Sequence, residues 1–356
     1  MYGSVSNSGP RPRYRLWHKH KSILYALHPN RLPAEGIRLT YTFGLGGIAV
    51  LTTLITILTG LLLTFYYQPT PEHAYASVVL LEDVVVWGSV VRALHYWAAQ
   101  LMVVTATLHM ARVLFTGAYA RPRRFNWLVG WALLILTLLW DFSGYVLRWD
   151  NHTHWALLVG TNLIKLIPGF GHGLYRMLVG DEVIGAPALL RFYTWHVIGL
   201  TLVVVFGIVY HLFRLRVDGG ISRPPRRPGQ PRVMVGKELL FQKEIVAALL
   251  ITGGLILAAS LFPAPLGNAS DLGSPPAEAK APWIFLWIQR LLRWLPAPWA
   301  GMGIPLLVAV SLALLPWLVP RVRPGTWFDR RQRLVQSIFG LGALLITLLT
   351  LWEALG

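Results

Sequence analysis

Four histidines lie inside long apolar segments of the chain, two on each of two segments. His95 and His109 are 14 residues apart, and His196 and His211 are 15 apart. At a rise of about 1.5 Å and a turn of about 100° per residue, these spacings correspond to roughly 21 and 22 Å along a helix, with net rotations of about −40° and +60°. Each helix therefore presents two histidines on one face, one near each end. A polar ring in an apolar helix calls for a functional explanation.

The two histidine pairs have the spacing of two stacked bis-imidazole sites. If the two helices run in the same direction, His95 faces His196 and His109 faces His211 at matching depths. The chain has 0 Cys, so it offers no thiolate ligand. Haem iron is then the metal that such imidazole pairs favour as axial ligands. The alternative is a set of core histidines hydrogen-bonded to Ser, Thr or backbone groups. Four of them at matching depths favour haem.

Glycines repeat the histidine spacing on two other apolar segments. Gly46 and Gly60 are 14 residues apart, as are Gly130 and Gly144. A porphyrin edge that lies against a helix needs positions without a side chain. Alternatively, these glycines only allow close packing between helices. The spacing that they share with the histidines favours contact with haem instead.

The composition indicates a membrane protein of many spans. The 356 residues are 55% hydrophobic and 13% charged, with 0 Cys to form a disulfide or a thioether to a cofactor, and the mean hydropathy is +0.53. A membrane-spanning helix needs roughly 20 apolar residues. The candidate spans are Leu39–Tyr67, Ala93–Leu108, Trp127–Trp140, Phe192–Tyr210, Ile245–Phe262, Gly301–Val319 and Leu334–Trp352. We therefore expect an all-α integral membrane fold, in which the net charge of +17 does not reflect nucleic-acid binding.

Basic residues set the expected topology, because Lys and Arg collect in short cytoplasmic loops. They are concentrated in the N-terminal arm, residues 1–38, and in the loops after the second, fourth and sixth spans. The arm is polar and basic, unlike a cleavable signal peptide. Seven spans follow, with the N-terminus inside and the C-terminus outside a bacterial cytoplasmic membrane. The same charges can contact anionic membrane lipids.

The chain divides in the middle. Residues 222–236 begin with the Pro- and Arg-rich stretch SRPPRRPGQPR, which cannot continue a helix and is predicted to be a cytoplasmic linker. Before it, residues 39–221 form a four-helix domain with both histidine pairs. After it, residues 237–356 supply three helices and a long periplasmic loop, 263–298. A loop of this length with an aromatic segment is usually functional.

These residues resemble cytochrome b of the quinol-oxidising cytochrome bc complexes, with the spacing of the chloroplast and cyanobacterial type. The segments that carry the resemblance are LTGLLLTFYYQPT (58–70), RALHYW (92–97), LHMARVLFTGAYARPRRFNWLVG (108–130), SGYVLRWDNHTHWA (143–156), IPGFG (167–171), RFYTWH (191–196) and HLFRLR (211–216). Residues 237–356 resemble the three-helix partner subunit of that type, fused here to the first half.

The resemblance implies two b-haems, an outer one held by His95 and His196 and an inner one held by His109 and His211. In the family, quinol is oxidised near the outer surface, one electron passes to a Rieske iron–sulfur protein, and the other crosses both haems to a quinone at the inner surface. Arg216 corresponds to a family arginine near the inner haem, or it is a positive-inside anchor. The family forms dimers, so a homodimer is expected.

One departure from the family concerns the outer quinol site. The family has a Pro-Glu-Trp-Tyr stretch there, whose Glu can accept a quinol proton. The corresponding stretch here reads APWI (281–284), which retains Trp283 and lacks the Glu. Glu278 lies one helical turn upstream and is a candidate substitute. Other candidate bases are Asp271, His152 and His154, although the two histidines fit solvated loop residues better.

Two further departures concern single residues. Gly44 stands where the chloroplast type has the cysteine of a third, covalently attached haem, so no covalently attached haem is expected. Space beside Gly44 leaves a noncovalent third haem open. Arg148 stands where the family usually has Pro, and it adds a charge near the outer haem.

Three functions are consistent with the sequence to different degrees. The first is the di-haem electron-transfer subunit of a quinol–cytochrome c-type oxidoreductase, working with a Rieske protein or a c-type cytochrome. The second is the haem b anchor of another periplasmic redox enzyme, which exchanges electrons with quinone and has no working outer quinol site. The missing Glu favours the second, and the retained C-terminal helices with Trp283 favour the first. A transporter with incidental histidines is the third and weakest.

Overall fold

The computed structural model describes residues 31–225, 229, 231, 233–270, 280–319, 322 and 324–356. Helices make up most of the described chain. They are α1 (Leu39–Thr42), α2 (Leu45–Thr64), α3 (Ala74–Asp83), α4 (Gly88–Phe115), α5 (Arg124–Val146), α6 (Asn151–Lys165), α7 (Gly171–Val179), α8 (Ala186–Val217), α9 (Lys237–Leu261), α10 (Leu286–Leu292), α11 (Pro298–Leu318) and α12 (Arg333–Leu355). Short 3₁₀ turns precede α1, α10 and α12.

Seven of these helices are long and apolar enough to span a membrane. They are α2, α4, α5, α8, α9, α11 and α12. Each overlaps one of the spans expected from the sequence, so the predicted all-α membrane fold is confirmed. Many large apolar side chains on them are exposed, as on a surface that faces lipid. The orientation of the termini stays a prediction.

The first two spans form the most extensive helix pair, in which α2 packs along α4. The buried face of α2 carries four threonines, Thr52, Thr53, Thr56 and Thr59. Each hydroxyl donates to a backbone carbonyl three or four residues earlier. A hydroxyl satisfied in this way can be buried in an apolar environment, and it leaves the methyl group to pack. The threonines therefore permit close packing without an unpaired donor.

The two halves of the chain are joined at both ends of the bundle. At one end, strand β1 (Arg31–Pro33) pairs antiparallel with β2 (Met234–Gly236), just before α9. At the other end, the segment 262–269 lies across the first half. There Arg92 donates to the Ala264 carbonyl, and Trp97 Nε1 donates 2.9 Å to the Phe262 carbonyl. Both loops therefore hold α9 against the helices that carry the histidines.

Candidate functional site

The structure brings the four histidines together in the two expected pairs. The ring centroids of His95 and His196 are 6.3 Å apart, with an angle of 76° between the ring planes. Those of His109 and His211 are 6.5 Å apart, with an angle of 79°. The first pair lies toward the start of α4 and the second toward its end, and all four rings are half-buried. We name the two ends of the bundle the His95 end and the His109 end.

These separations fit one metal ion between each pair of rings. An imidazole nitrogen binds a transition-metal ion at about 2.0–2.1 Å. The nitrogen lies roughly 1.1 Å from its ring centroid, so two rings on opposite sides of one ion have centroids about 6.2–6.4 Å apart. The measured 6.3 and 6.5 Å agree with this value. Rings in direct van der Waals contact have no reason to keep this spacing in both pairs.

Each of the four glycines predicted from the sequence contacts one histidine ring. A Cβ built on the glycine would lie close to Cε1 of that ring, at 3.2 Å for Gly46 and His109 and 2.9 Å for Gly60 and His95. The distances are 3.1 Å for Gly130 and His211, and 2.5 Å for Gly144 and His196. The glycines therefore make room for the imidazoles themselves, a closer role than the predicted contact with a porphyrin edge.

Hydrogen bonds fix the tautomer of the His95 and His196 rings. His95 Nδ1 lies 3.0 Å from the Thr56 carbonyl and 3.1 Å from Thr59 Oγ1. His196 Nδ1 lies 3.1 Å from the Trp140 carbonyl and 3.0 Å from Ser143 Oγ. A carbonyl only accepts, so each Nδ1 carries the hydrogen and each Nε2 keeps its lone pair. Orientation of a ligand by its second nitrogen is typical of metal-bound histidine.

The same local pattern supplies both sets of acceptors. In each case the hydroxyl residue immediately precedes the glycine that contacts the ring, and the carbonyl comes from four residues before that glycine. The hydroxyl protons are engaged elsewhere, because Ser143 Oγ donates 2.7 Å to the Trp140 carbonyl and Thr59 Oγ1 donates 2.7 Å to the Ile55 carbonyl. The dipeptides Thr-Gly and Ser-Gly are the sequence signal for Thr59 and Ser143, which were not predicted as site residues.

The second pair is held differently. Leu45 and Val129 precede its glycines, so neither ring meets a hydroxyl of this kind. Nδ1 of His211 meets no side-chain partner among the described residues, and the nearest backbone group is that of Asn126, four residues before Gly130, in a looser contact than those of the first pair. The two ring pairs thus differ in the polar groups that contact their outer nitrogens, which gives them different electronic surroundings.

A π turn explains why His196 and His211 share a face at a spacing of 15 residues. Residues Trp195–Leu200 of α8 form a π-helical segment. A π turn takes up one extra residue, so the segment covers the length and rotation of about 14 residues of α-helix. The predicted rotation of +60° for this pair is therefore wrong, because it assumed a regular helix. The His196 carbonyl accepts from Thr201 Oγ1 at 2.7 Å and from Trp140 Nε1 at 2.9 Å, which holds the turn.

Two residues predicted near the inner haem lie at the His109 end. Arg216 lies in the last turn of α8, half-buried and close enough to Glu244 of α9 for their charges to interact. Gly44 has a φ of +65°, a left-handed conformation that favours glycine. The backbone conformation alone therefore gives a reason for glycine at this position.

Trp283 lies at the His95 end, in a 3₁₀ turn before α10. Its Nε1 donates 2.5 Å to Gln100 Oε1 on α4, and Gln100 Nε2 donates 3.3 Å to Asp141 Oδ1 on α5. Neither Gln100 nor Asp141 was predicted from the sequence to belong to the site. The candidate bases Glu278 and Asp271 lie outside the described residues.

The prediction of solvated loop histidines after α5 is wrong for His154. His152 and His154 lie in the first turn of helix α6, and His154 is only 4% exposed. Its ring packs edge-on against Trp149, with centroids 5.1 Å apart. Burial lowers the pKa of His154, because the charged imidazolium would lose its hydration. A buried ring of this kind does not reach solvent as a loop histidine would.

Arg148 has a structural partner that its position in the sequence did not reveal. Its Nη2 lies 3.2 Å from Oδ2 of Asp150, whose side chain is fully buried. Asp150 Oδ1 caps α6 by accepting from the Thr153 backbone N–H at 2.9 Å, and Oδ2 accepts from the Gly267 N–H at 2.9 Å. Arg148 Nη1 donates 3.1 Å to the Pro265 carbonyl. The pair therefore joins α5 and α6 to the segment after α9.

Residues 32–219, more than half of the chain, match the family described as cytochrome b/b6/petB. The chain belongs to the cytochrome b/b6 family. This confirms the resemblance found in the sequence, and membership implies haem b binding in a multi-pass membrane protein. The matched region contains all four histidines and all four glycines.

Members of this family resemble the chain over different lengths. A cytochrome b6 of Heliomicrobium gestii is 41% identical over 54% of this chain and 90% of its own length. A menaquinol:cytochrome c reductase cytochrome b subunit of Geobacillus thermodenitrificans is 37% identical over 52% of this chain and 82% of its own. A cytochrome bc complex cytochrome b subunit of Chlorobaculum thiosulfatiphilum is 29% identical over 93% of this chain and 77% of its own length. The last match extends across both halves.

The fold of both halves also matches a solved structure. A chain described as hyperthermophilic respiratory Complex III has a TM-score of 0.79, covers 97% of this chain over 89% of its own length, and is 23% identical. At this identity the likeness concerns the fold.

Proposed function

We propose that this chain is the di-haem cytochrome b subunit of a membrane quinol:cytochrome c-type oxidoreductase. The observation that carries the proposal is the pair of imidazole–imidazole separations, 6.3 and 6.5 Å, at which each pair of rings can bind one iron. Two relatives described as cytochrome b subunits, one of a menaquinol:cytochrome c reductase and one of a cytochrome bc complex, support the assignment to such a complex. The chain has 0 Cys for an iron–sulfur cluster, so a partner such as a Rieske protein or a c-type cytochrome would supply the next redox group.

In this proposal His95 with His196 and His109 with His211 hold two b-haems, each of which, when bound, accepts and releases one electron. The ring pairs lie about 21 Å apart along α4, a distance that corresponds to most of the hydrocarbon thickness. His95 and His196 would hold the haem that exchanges electrons with quinol near Trp283. His109 and His211 would hold the haem that exchanges electrons with a quinone near Arg216.

The chain's own residues prepare these positions before any electron moves. The carbonyls of Thr56 and Trp140 hold the hydrogen on Nδ1 of His95 and His196, so each Nε2 keeps a lone pair that can bind iron. The hydroxyls of Thr59 and Ser143 contact the same Nδ1 atoms. Gly60 and Gly144 let the rings lie against α2 and α5.

We further propose the topology and division expected from the sequence. The N-terminal arm, residues 1–38, and the linker, 222–236, would lie in the cytoplasm of a bacterium, and the loop 263–298 in the periplasm. The four-helix part, 39–221, would bind both haems, and the three helices within 237–356 would complete the quinone sites. A homodimer in contact with membrane lipids is the expected assembly.

Haem counting in histidine variants tests the proposal. The purified complex should contain two b-haems per chain by its pyridine haemochrome spectrum. His196→Ala and His211→Ala should each remove one, and the remaining haem should differ between the two variants in its midpoint potential. His172→Ala changes an exposed histidine on α7 and should keep both haems. Two haems retained in both His196→Ala and His211→Ala would contradict the assignment.

A second function is favoured by the absence of Glu from the segment 281–284. The chain would then be a haem b anchor of another periplasmic redox enzyme, with quinone chemistry at the His109 end alone. The two functions differ in one measurement on the purified complex. Haem reduction by a short-tailed naphthoquinol should be blocked by an inhibitor of the quinol site at the His95 end if the first function is correct, and should be insensitive to it if the second is.

A further inference from the structure

A carboxylate lies within the membrane-spanning part of α5, near the His95 end. Asp141 is half-buried and accepts one hydrogen bond, from Gln100 Nε2 at 3.3 Å. Gln100 in turn accepts from Trp283 Nε1 at 2.5 Å. A polar chain thus runs from the retained tryptophan of the quinol-site segment to a carboxylate two helices away.

This carboxylate has no cationic partner among the residues that the structure describes. Among the described residues, no Lys, Arg or His forms an ion pair with Asp141. An ionisable group inside a membrane span is costly, and one that is retained usually lies on a substrate or proton path. A side chain kept only to hydrogen-bond Gln100 could equally be a neutral amide. The carboxyl chemistry of Asp141 therefore needs its own explanation.

Asp141 lies at the depth of the first ring pair. On the same helix, Gly144 contacts the His196 ring, and Asp141 is three positions before it, about 4.5 Å along the axis. Two contacts join this end of α5 to the segment that contains Trp283. The Phe142 and Phe285 rings pack 5.7 Å apart, and Tyr145 OH donates 3.4 Å to the Lys280 carbonyl. The part of α5 that carries Asp141 thus contacts both the first ring pair and the quinol-site segment.

We propose that Asp141 is the proton-accepting residue of the quinol site at the His95 end, where it replaces the Glu that the segment 281–284 lacks. The inference rests on the proposed quinol oxidation. Quinol loses two protons and two electrons to become quinone. One electron would be accepted by the haem that His95 and His196 would hold, and the other by the iron–sulfur or c-type haem group of a partner subunit. One proton breaks from a quinol hydroxyl and bonds to the Asp141 carboxylate, and the second goes to water.

Other titratable groups around this position have separate roles. Tyr96 on α4 lies close enough to interact electrostatically with Asp141. Tyr145 is engaged with the Lys280 carbonyl, and the Lys280 ammonium donates 3.2 Å to the Ala354 carbonyl, away from α5. Arg148 is paired with Asp150. From α8, His196 uses its Nδ1 for Trp140 and Ser143. Asp141 is therefore the carboxylate positioned for the reaction.

Two substitutions separate proton acceptance from hydrogen bonding. Asp141→Asn keeps an oxygen that can accept from Gln100 and cannot take up a proton at neutral pH. Asp141→Glu keeps the carboxylate. A matched control is Thr137→Val, one turn earlier on α5, where the hydroxyl donates only to the Leu133 carbonyl at 2.8 Å. Each variant is purified as the whole complex, and its two b-haems are counted before assay.

The assay is the rate of haem reduction by a short-tailed naphthoquinol, measured from pH 5.5 to 9 with the quinone site at the His109 end inhibited. The rate in the wild type and in Thr137→Val should rise with pH as the base deprotonates. Asp141→Asn should lower the rate about 100-fold and abolish the rise, because a positioned base typically contributes a factor of this size. Asp141→Glu should restore a pH-dependent rate.

Three results would overturn the inference, and they can be told apart. If Asp141→Asn keeps the wild-type rate and pH profile, Asp141 is not the base although quinol oxidation at this end stands. If Asp141→Glu is as slow as Asp141→Asn, the residue acts by shape rather than by proton uptake. If the wild-type haems are not reduced by quinol at the His95 end, the proposed function fails and the inference fails with it.

Discussion

Gly144 and His196 make the tightest of the four glycine–histidine contacts. A Cβ built on Gly144 would lie 2.5 Å from His196 Cε1 and 3.0 Å from its Nε2, whereas the three other glycines leave 2.9 to 3.2 Å to the nearest ring atom. Contacts below 3.0 Å require something to shift. The Trp140 carbonyl and Ser143 Oγ both hold the ring by its Nδ1, so it has little freedom to move.

Gly144→Ala is expected to remove the haem at the His95 end. The methyl group would push the His196 ring away from the axis that joins it to His95, and metal–ligand geometry tolerates errors of only about 0.2 Å. The pyridine haemochrome spectrum should show one b-haem per chain in place of two. Gly173→Ala is the control, because Gly173 is an exposed position on α7 with no atom within 4 Å of a built Cβ. Two haems of unchanged potential in Gly144→Ala would show that the ring can relax.

The hydroxyls of Thr59 and Ser143 are expected to lower the midpoint potential of the haem at the His95 end. Each accepts from an Nδ1–H, which makes the ring a more basic ligand and favours ferric iron. Ser143→Ala and Thr59→Val should raise the potential by tens of millivolts, since a neutral hydrogen bond is worth about 1 kcal/mol and about 1.4 kcal/mol corresponds to 59 mV for one electron.

A redox titration of both haems in the purified complex measures this effect. The haem at the His109 end serves as an internal reference, because its rings do not contact either hydroxyl. Thr137→Val, on the same helix as Ser143, is the external control, since the Thr137 hydroxyl donates to the Leu133 carbonyl at 2.8 Å. Equal shifts of both haems, or a shift in the control, would mean that the substitutions act on the bundle as a whole.

Helix-scale features of this site were readable from the sequence. Apolar blocks of membrane length predict the seven spans, and fixed rise and rotation per residue place His95 above His109 on one helix. Even the pairing across helices follows once both run in the same direction. These inferences need only regular geometry, which apolar membrane helices generally have.

Irregular backbone and long-range side-chain partners could not be predicted from the sequence. The π turn at Trp195–Leu200 alters the rotation between His196 and His211, and the residue types in that stretch do not predict a π turn. Arg148 appeared as an unexplained charge because its partner Asp150 and the acceptor Pro265 meet only through the three-dimensional fold. The role of Asp141 also depends on contacts that form only in the fold. The function of a single acidic residue in an apolar segment depends on the residues that it contacts. The contact of Asp141 is Gln100, which lies 41 residues away in the sequence.

Removal of the Arg148 guanidinium is expected to destabilise the joint between the two halves. Arg148→Ala leaves the carboxylate of Asp150 fully buried without its cation, which should lower the free energy of unfolding by about 3 kcal/mol. Adding Asp150→Asn removes the unpaired charge and should restore part of the loss. The thermal denaturation of the complex in detergent measures both.

The exposed ion pair of Arg176 and Glu182 supplies the control for this prediction. Both side chains are largely exposed, so Arg176→Ala should leave the denaturation midpoint nearly unchanged, as is usual for surface pairs. If Arg148→Ala and Arg176→Ala have the same denaturation midpoint, burial of the Asp150 carboxylate does not require the Arg148 guanidinium. If the double variant is less stable than Arg148→Ala, the carboxylate itself contributes more than the pair.

His154 is expected to make the protein less stable in mild acid. Burial lowers the pKa of His154 in the folded chain, whereas an unfolded histidine titrates at about 6.5. Below that pH the unfolded chain binds a proton that the folded chain does not, so the free energy of unfolding falls by at most about 1.4 kcal/mol per pH unit. The loss begins as the pH drops through about 6.5 and ends once His154 is also protonated in the folded state.

His154→Phe keeps a ring against Trp149 and cannot take up a proton, so its denaturation midpoint should fall less than that of the wild type between pH 7 and 5. Carboxylates contribute equally to both proteins, and the difference between the two curves isolates His154. His172→Phe changes an exposed histidine and should follow the wild type. Parallel curves for His154→Phe and the wild type would show that the folded chain accommodates the charged ring.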